Sequence, residues 1–100
     1  MVRITWTDQA VNDLKDIAEY ISKDSKRYAR LQIQRIRERT QILKKNCSAG
    51  QILELFNNPD IRQLVEENYL IIYQIKDESR IDILTVHHSS RDLSKRKTIF

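Results

Sequence analysis

The sequence predicts an α+β fold in the order β-α-α-β-β-β, a helical hairpin packed on a small, mainly antiparallel sheet. Three observations carry this. Residues 61–93 hold three apolar runs, 61–65, 69–75 and 81–86, parted by the polar clusters Glu66-Glu67-Asn68 and Lys76-Asp77-Glu78-Ser79. Upstream, two stretches repeat apolar residues at three- and four-residue steps. Before them, Val2, Ile4 and Trp6 alternate with polar residues.

The opening alternation puts Val2, Ile4 and Trp6 on one side of a short strand. Thr7 is then an N-cap and Asp8 a first-turn acid that complements the positive end of the helix dipole. Ala10, Leu14, Ile17, Ala18 and Ile21 form the stripe of a first helix ending near residues 22–24. Asp24 or Ser25 caps a second, in which Ala29, Ile33, Ile36, Thr40 and Leu43 extend the spacing up to Asn46. Neither helix is stable in water without burying its stripe, so the two face each other and the sheet.

Gly50, the single glycine, is expected to close the second helix as a left-handed cap or tight turn. Residues 51–60 read as a connector with Leu53, Leu55 and Phe56 as core anchors and Asn57-Asn58-Pro59-Asp60 as a turn. In the runs that follow, Tyr69, Ile71, Tyr73 and Ile75 alternate with Leu70, Ile72 and Gln74, the pattern of a pleated strand apolar on both faces. The polar clusters are too short for a parallel crossover, so the runs form an antiparallel meander.

At 100 residues the chain is one domain, residues 1–100, ending in a basic tail over 91–100. With 40% hydrophobic residues and no apolar run near the roughly 18 residues of a membrane span, it is expected to be cytoplasmic with no membrane partner. Cys47 alone makes neither an internal disulfide nor a thiolate metal site. His87 and His88, adjacent on a strand, point to opposite faces and hold no metal; no metal or other cofactor is expected.

The net charge of +4 is unevenly spread. Residues 1–50 carry 11 Lys and Arg against 6 Asp and Glu, residues 51–100 carry 7 against 8, and eight basic residues crowd positions 26–45 with Glu38 alone opposing them. Such a face attracts polyanions or an acidic protein segment, or is merely a solvated helix surface.

Trp6-Thr7 before the Ala10/Leu14/Ile17/Tyr20-Ile21 helix, Gly50 with Glu54-Leu55, Arg62, Tyr69-Leu70-Ile71-Ile72-Tyr73 and Val86-His87-His88-Ser89-Ser90-Arg91-Asp92-Leu93, in that order and spacing, resemble the ParE/RelE superfamily of bacterial toxins. The resemblance implies the toxin of a type II toxin-antitoxin pair, neutralised by a cognate antitoxin. It also implies one of two activities: ParE-like members poison DNA gyrase, whereas RelE-like members cut messenger RNA on the ribosome.

Metal-free RNA cleavage needs a base for the 2′-hydroxyl, a cation for the phosphate and an acid for the leaving oxygen. By resemblance to one RelE-like branch these would be Glu54, Arg62 and His88. Each has a plainer reading: Glu54 in a turn, Arg62 in an ion pair, and His88 at the core edge, sharing strand parity with Leu84 and Val86.

Two departures favour the ParE-like branch. Residues 51–58 contain no Lys or Arg, and Leu70 stands where the superfamily's Tyr-Arg-Ile pattern has an arginine. On that reading the protein inhibits by binding, and Arg91, Lys95, Arg96 and Lys97 of the tail approach gyrase or its DNA.

Overall fold

A computed structural model describes residues 2–89. Its order is β1 (Arg3–Trp6), α1 (Asp8–Ser22), α2 (Lys26–Arg39), a 3-10 helix (Thr40–Lys44), β2 (Gln51–Ile52), a 3-10 turn (Glu54–Phe56), β3 (Ile61–Glu66), β4 (Tyr69–Asp77) and β5 (Arg80–His88). The five strands form one sheet, ordered β1-β5-β4-β3-β2. Two helices on a mixed sheet make the expected α+β fold.

The meander forms as the turn chemistry dictates. Two residues link β3 to β4, with Glu67 at φ 53°, and two link β4 to β5, where Asp77 accepts from the Ser79 amide at 2.7 Å and its hydroxyl at 2.9 Å. Those bonds hold the Asp77 carboxyl below its usual range. At the far side β1 pairs parallel with β5, Ile4 opposite Ile81 and Trp6 opposite Ile83.

Both helices begin where their caps lie. Thr7 accepts from the Ala10 amide at 3.1 Å, and Ser25 rather than Asp24 caps α2, accepting from Tyr28 at 3.0 Å. Their stripes meet the sheet: Ala10, Leu14, Ile36 and Leu43 pack with Leu64, Ile71, Tyr73, Ile81, Ile83 and Val86. Thr40, also fully buried, donates to the Arg37 carbonyl at 2.7 Å where the α-helix tightens into the 3-10 helix, so regular α2 stops short of Asn46.

Three expectations need correcting. Gln51 and Ile52, read as connector, pair with Gln63 and Arg62 as a fifth strand. Leu55 is 58% exposed and anchors nothing, while Leu53 and Phe56 pack on Ile61, Ile72 and Leu84 in a second cluster. Gly50 does not adopt positive φ; the left-handed residue near by is Asn57, at φ 50°. Gly50 serves by being small, since an added Cβ would stand 2.6 Å from the Gln63 carbonyl oxygen and from the Tyr73 ring.

The β4–β5 register also shifts twice, between Ile72 and Tyr73 and between Ile75 and Asp77, and the first shift moves a core residue. Ile72 pairs with Thr85 but Tyr73 with Ile83, leaving Leu84 as the extra residue of a β-bulge. Leu84 therefore joins the second cluster, while Val86 rejoins the helix-side core.

Candidate functional site

Two constructions stand out, and the sequence-predicted residues fall into different ones. The first is a latch around the turn at residues 47–50. Tyr73, fully buried on β4, accepts from the Gly50 amide at 2.9 Å and donates to the Cys47 carbonyl at 2.9 Å. Burial pushes its hydroxyl pKa above the usual 10.0, opposed in part by the Gly50 bond and the Arg62 charge. Arg62 sits opposite Tyr73 and donates to the carbonyls of Ser48 at 3.3 Å and Gly50 at 3.1 Å. Its guanidinium is engaged in holding backbone.

The second is a cleft of about 460 Å³ between the later turns of α1 and the ends of β4 and β5, lined among others by Asp13, Asp16, Tyr20, Tyr69, His87 and His88. Past the end of β1, α1 takes over the edge of β5. Asp13, buried, accepts from the Val86 amide at 3.0 Å, from Gln9 Nε2 at 2.8 Å and from the Thr85 hydroxyl in a short bond. His88, half-buried, meets the Tyr69 ring edge-on with centroids 5.5 Å apart. His87 is buried, at 1% exposure.

These placements hold Arg62 and His88 apart. Arg62 lies opposite Tyr73 and His88 opposite Tyr69, on strands flanking β4. The offset is on the order of 13 Å along the sheet and 10 Å across it. Glu54 is exposed in the turn after β2 and makes no side-chain hydrogen bond or ion pair among the described residues. Arg91, Lys95, Arg96 and Lys97 lie outside the described residues.

Both histidines line one cleft, yet among the described residues no group of three or more His, Cys, Asp or Glu is placed to hold a metal ion. Nor is any helix of the described residues long and apolar enough to cross a membrane. The basic residues of α2 serve partly as clamps: Arg35 Nη1 bonds Glu67 at 2.8 Å and Arg39 Nε bonds the Val65 carbonyl at 3.1 Å. Sequence reading missed Asp13 and Tyr73. Asp13 stands at helical spacing from Ala10 and Ile17, which was the available signal, whereas the approach of Tyr73 to Gly50 is set by tertiary packing and no local pattern marks it.

A chain of the chromosomal ParDE TA system from P. aeruginosa superposes with a TM-score of 0.72 at 24% identity, covering 88% of this chain and 96% of that one. A chain of the YoeB dimer from Staphylococcus aureus superposes with a TM-score of 0.57 at 20% identity, over 84% and 92%. At these identities the likeness is one of fold. No curated protein sequence matches. The family model of the ParE toxin of the type II toxin-antitoxin system parDE matches residues 4–93, nearly the whole chain, and the protein therefore belongs to the ParE toxin family.

Proposed function

We propose that this ParE-family toxin acts by binding and poisoning DNA gyrase and that a cognate antitoxin neutralises it. The carrying observation is the position of Arg62. The one cation among Glu54, Arg62 and His88 is turned onto the carbonyls of Ser48 and Gly50, two strands from the histidine it would have to serve. A nuclease stabilising phosphate charge needs its cation aimed at the phosphate. Arg91, Lys95, Arg96 and Lys97 supply the charge by which the toxin approaches gyrase or its DNA.

The antitoxin is an acidic or amphipathic segment docking along the helical hairpin and the sheet edge. Ala18, Ser22, Ala29 and Ile33 line an open groove between the helices, flanked by Lys26 and Arg30 against Glu19, and Val65 on β3 is 51% exposed. Isothermal titration against the protein encoded beside this gene checks it, and absence of binding would sink it.

The deciding experiment pairs gyrase supercoiling with messenger RNA cleavage on translating ribosomes, using wild type and His88→Ala. Inhibited supercoiling with intact RNA is expected, unchanged in His88→Ala. RNA cut in the ribosomal A site, and spared by His88→Ala, would instead make Glu54, Arg62 and His88 an active site in a ribosome-dependent endoribonuclease.

A further inference from the structure

We infer that the outward face of α2, with the 3-10 helix that follows it, is a docking track for the phosphate backbone of duplex DNA. The first reason is spacing. Arg27, Arg30, Gln34, Arg37, Gln41 and Lys44 recur at steps of three and four residues, so a helix lays them along one side, and all six are exposed. At about 1.5 Å per residue through α2 and about 2.0 Å through the 3-10 helix, the line from Arg27 to Lys44 runs roughly 28 Å, past about eight phosphates of one DNA strand. Lys44 then shares a shallow hollow with Arg3, also exposed, which carries the positive charge on to the edge of the sheet.

The second reason is that this charge is uncommitted. On the other flank of α2, Arg35 is spent on Glu67 and Arg39 on the Val65 carbonyl, while Arg80 holds Asp82. Arg3, Arg27, Arg30, Arg37 and Lys44 enter no ion pair or side-chain hydrogen bond among the described residues. The acid of α2 itself is Glu38, which accepts from Gln34 at 2.9 Å, and Glu19 of α1 faces Lys26 and Arg30 across the groove between the helices. Cations remain in excess.

The third is the chemistry of the partner. A protein interface gathers aromatic and apolar side chains at its centre and sheds charge, whereas this stripe is built from Arg, Gln and Lys, groups that bond phosphate oxygens. Leu31 and Ile42, 39% and 42% exposed, border it but do not make the apolar centre such an interface needs. A single strand is held by stacking its bases on aromatic rings, and the aromatic residue of α2, Tyr28, is turned to Glu67 at 3.3 Å. A duplex contacted through its backbone needs only the charge. That the duplex is DNA rests on the gyrase reading, since DNA is what gyrase holds.

The test titrates a labelled DNA duplex with the full chain by fluorescence anisotropy across a salt series. Four phosphate contacts give a slope of log affinity against log salt of roughly −3.6, about −0.9 for each. Arg27→Gln with Arg37→Gln, both at exposed positions, should flatten that slope by about 1.8 and weaken binding at low salt on the order of tenfold or more, while Arg27→Lys with Arg37→Lys keeps both. Lys15→Gln removes an exposed charge of α1 off the track and should leave the slope unchanged. A slope that survives the two glutamines, an equal loss per charge from Lys15→Gln, or no binding at low salt overturns the assignment. So does tighter binding of duplex RNA of the same sequence or of a poly-glutamate peptide, since the occupant would then be RNA or an acidic protein segment. No gyrase enters these measurements, so their failure leaves the supercoiling assay to judge the gyrase reading on its own.

Discussion

The Tyr73 hydroxyl receives the Gly50 amide proton at 2.9 Å, and Gly50 in turn has no room for a Cβ because the Tyr73 ring would lie 2.6 Å from it. Each residue fixes the other. The bond closes the link between the helical hairpin and the β2–β3 edge, and Arg62 ties the same turn through Ser48 and Gly50.

Gly50→Ala is accordingly expected to cost about 1–3 kcal/mol, because the nearest obstacle includes the Gln63 backbone oxygen, which cannot swing aside like a side chain. Urea denaturation of the purified chain measures it. A variant as stable as the parent would mean that the β2–β3 edge is free to shift.

Tyr73→Phe leaves the buried Gly50 amide without its acceptor and should cost ~1–3 kcal/mol. It should also alter the alkaline limb of stability. A hydroxyl whose pKa is raised in the folded state contributes stability that is intact below the unfolded value of 10.0 and lost as pH rises through the folded one. Stability measured against pH should therefore fall above about pH 10 more steeply in the parent than in Tyr73→Phe.

Asp13→Ala removes the acceptor of both the Val86 amide and the buried Thr85 hydroxyl. A loss of ~2–4 kcal/mol is expected from two stranded donors, read as a lowered unfolding midpoint. The double variant Asp13→Ala with Thr85→Val should recover part of it, because one donor is then gone.

On activity, Glu54→Ala should leave supercoiling inhibition within about twofold of the parent, since its side chain holds nothing in place. Arg91→Glu with Arg96→Glu should weaken inhibition by on the order of tenfold or more, most at low salt, where charge attraction is least screened. Inhibition curves across a salt series separate the two outcomes.

Much of the fold was legible because it is periodic. The stripes Ala10/Leu14 and Ala29/Ile36/Thr40/Leu43 are buried as their spacing requires, and Thr7 caps α1 as its residue type suggests. What escaped was set by tertiary contact. Gln51 and Ile52 are too few to show alternation and become a strand only because β3 offers an edge. Leu84 breaks parity through a bulge that no composition marks, and Leu55 is exposed where Leu53 and Phe56 cover the second cluster. At the site, residue types could nominate Glu54, Arg62 and His88, but the offset of Arg62 from His88 follows from the register of β3, β4 and β5, which lies beyond any local pattern.

The pairing of β1 with β5 has a bearing on how the toxin is born. Thr7 reaches the Ile83 and Leu84 carbonyls across 76 and 77 residues of chain, and Arg3 aligns with Arg80. Such distant partners make folding wait on chain closure, and at roughly 5–20 residues per second a nascent chain spends seconds with its first strand and helix unseated. Until the final strand emerges from the ribosome there is no assembled core. A chain released before that strand lacks the partner on which both β1 and β4 pair, and so cannot complete the sheet.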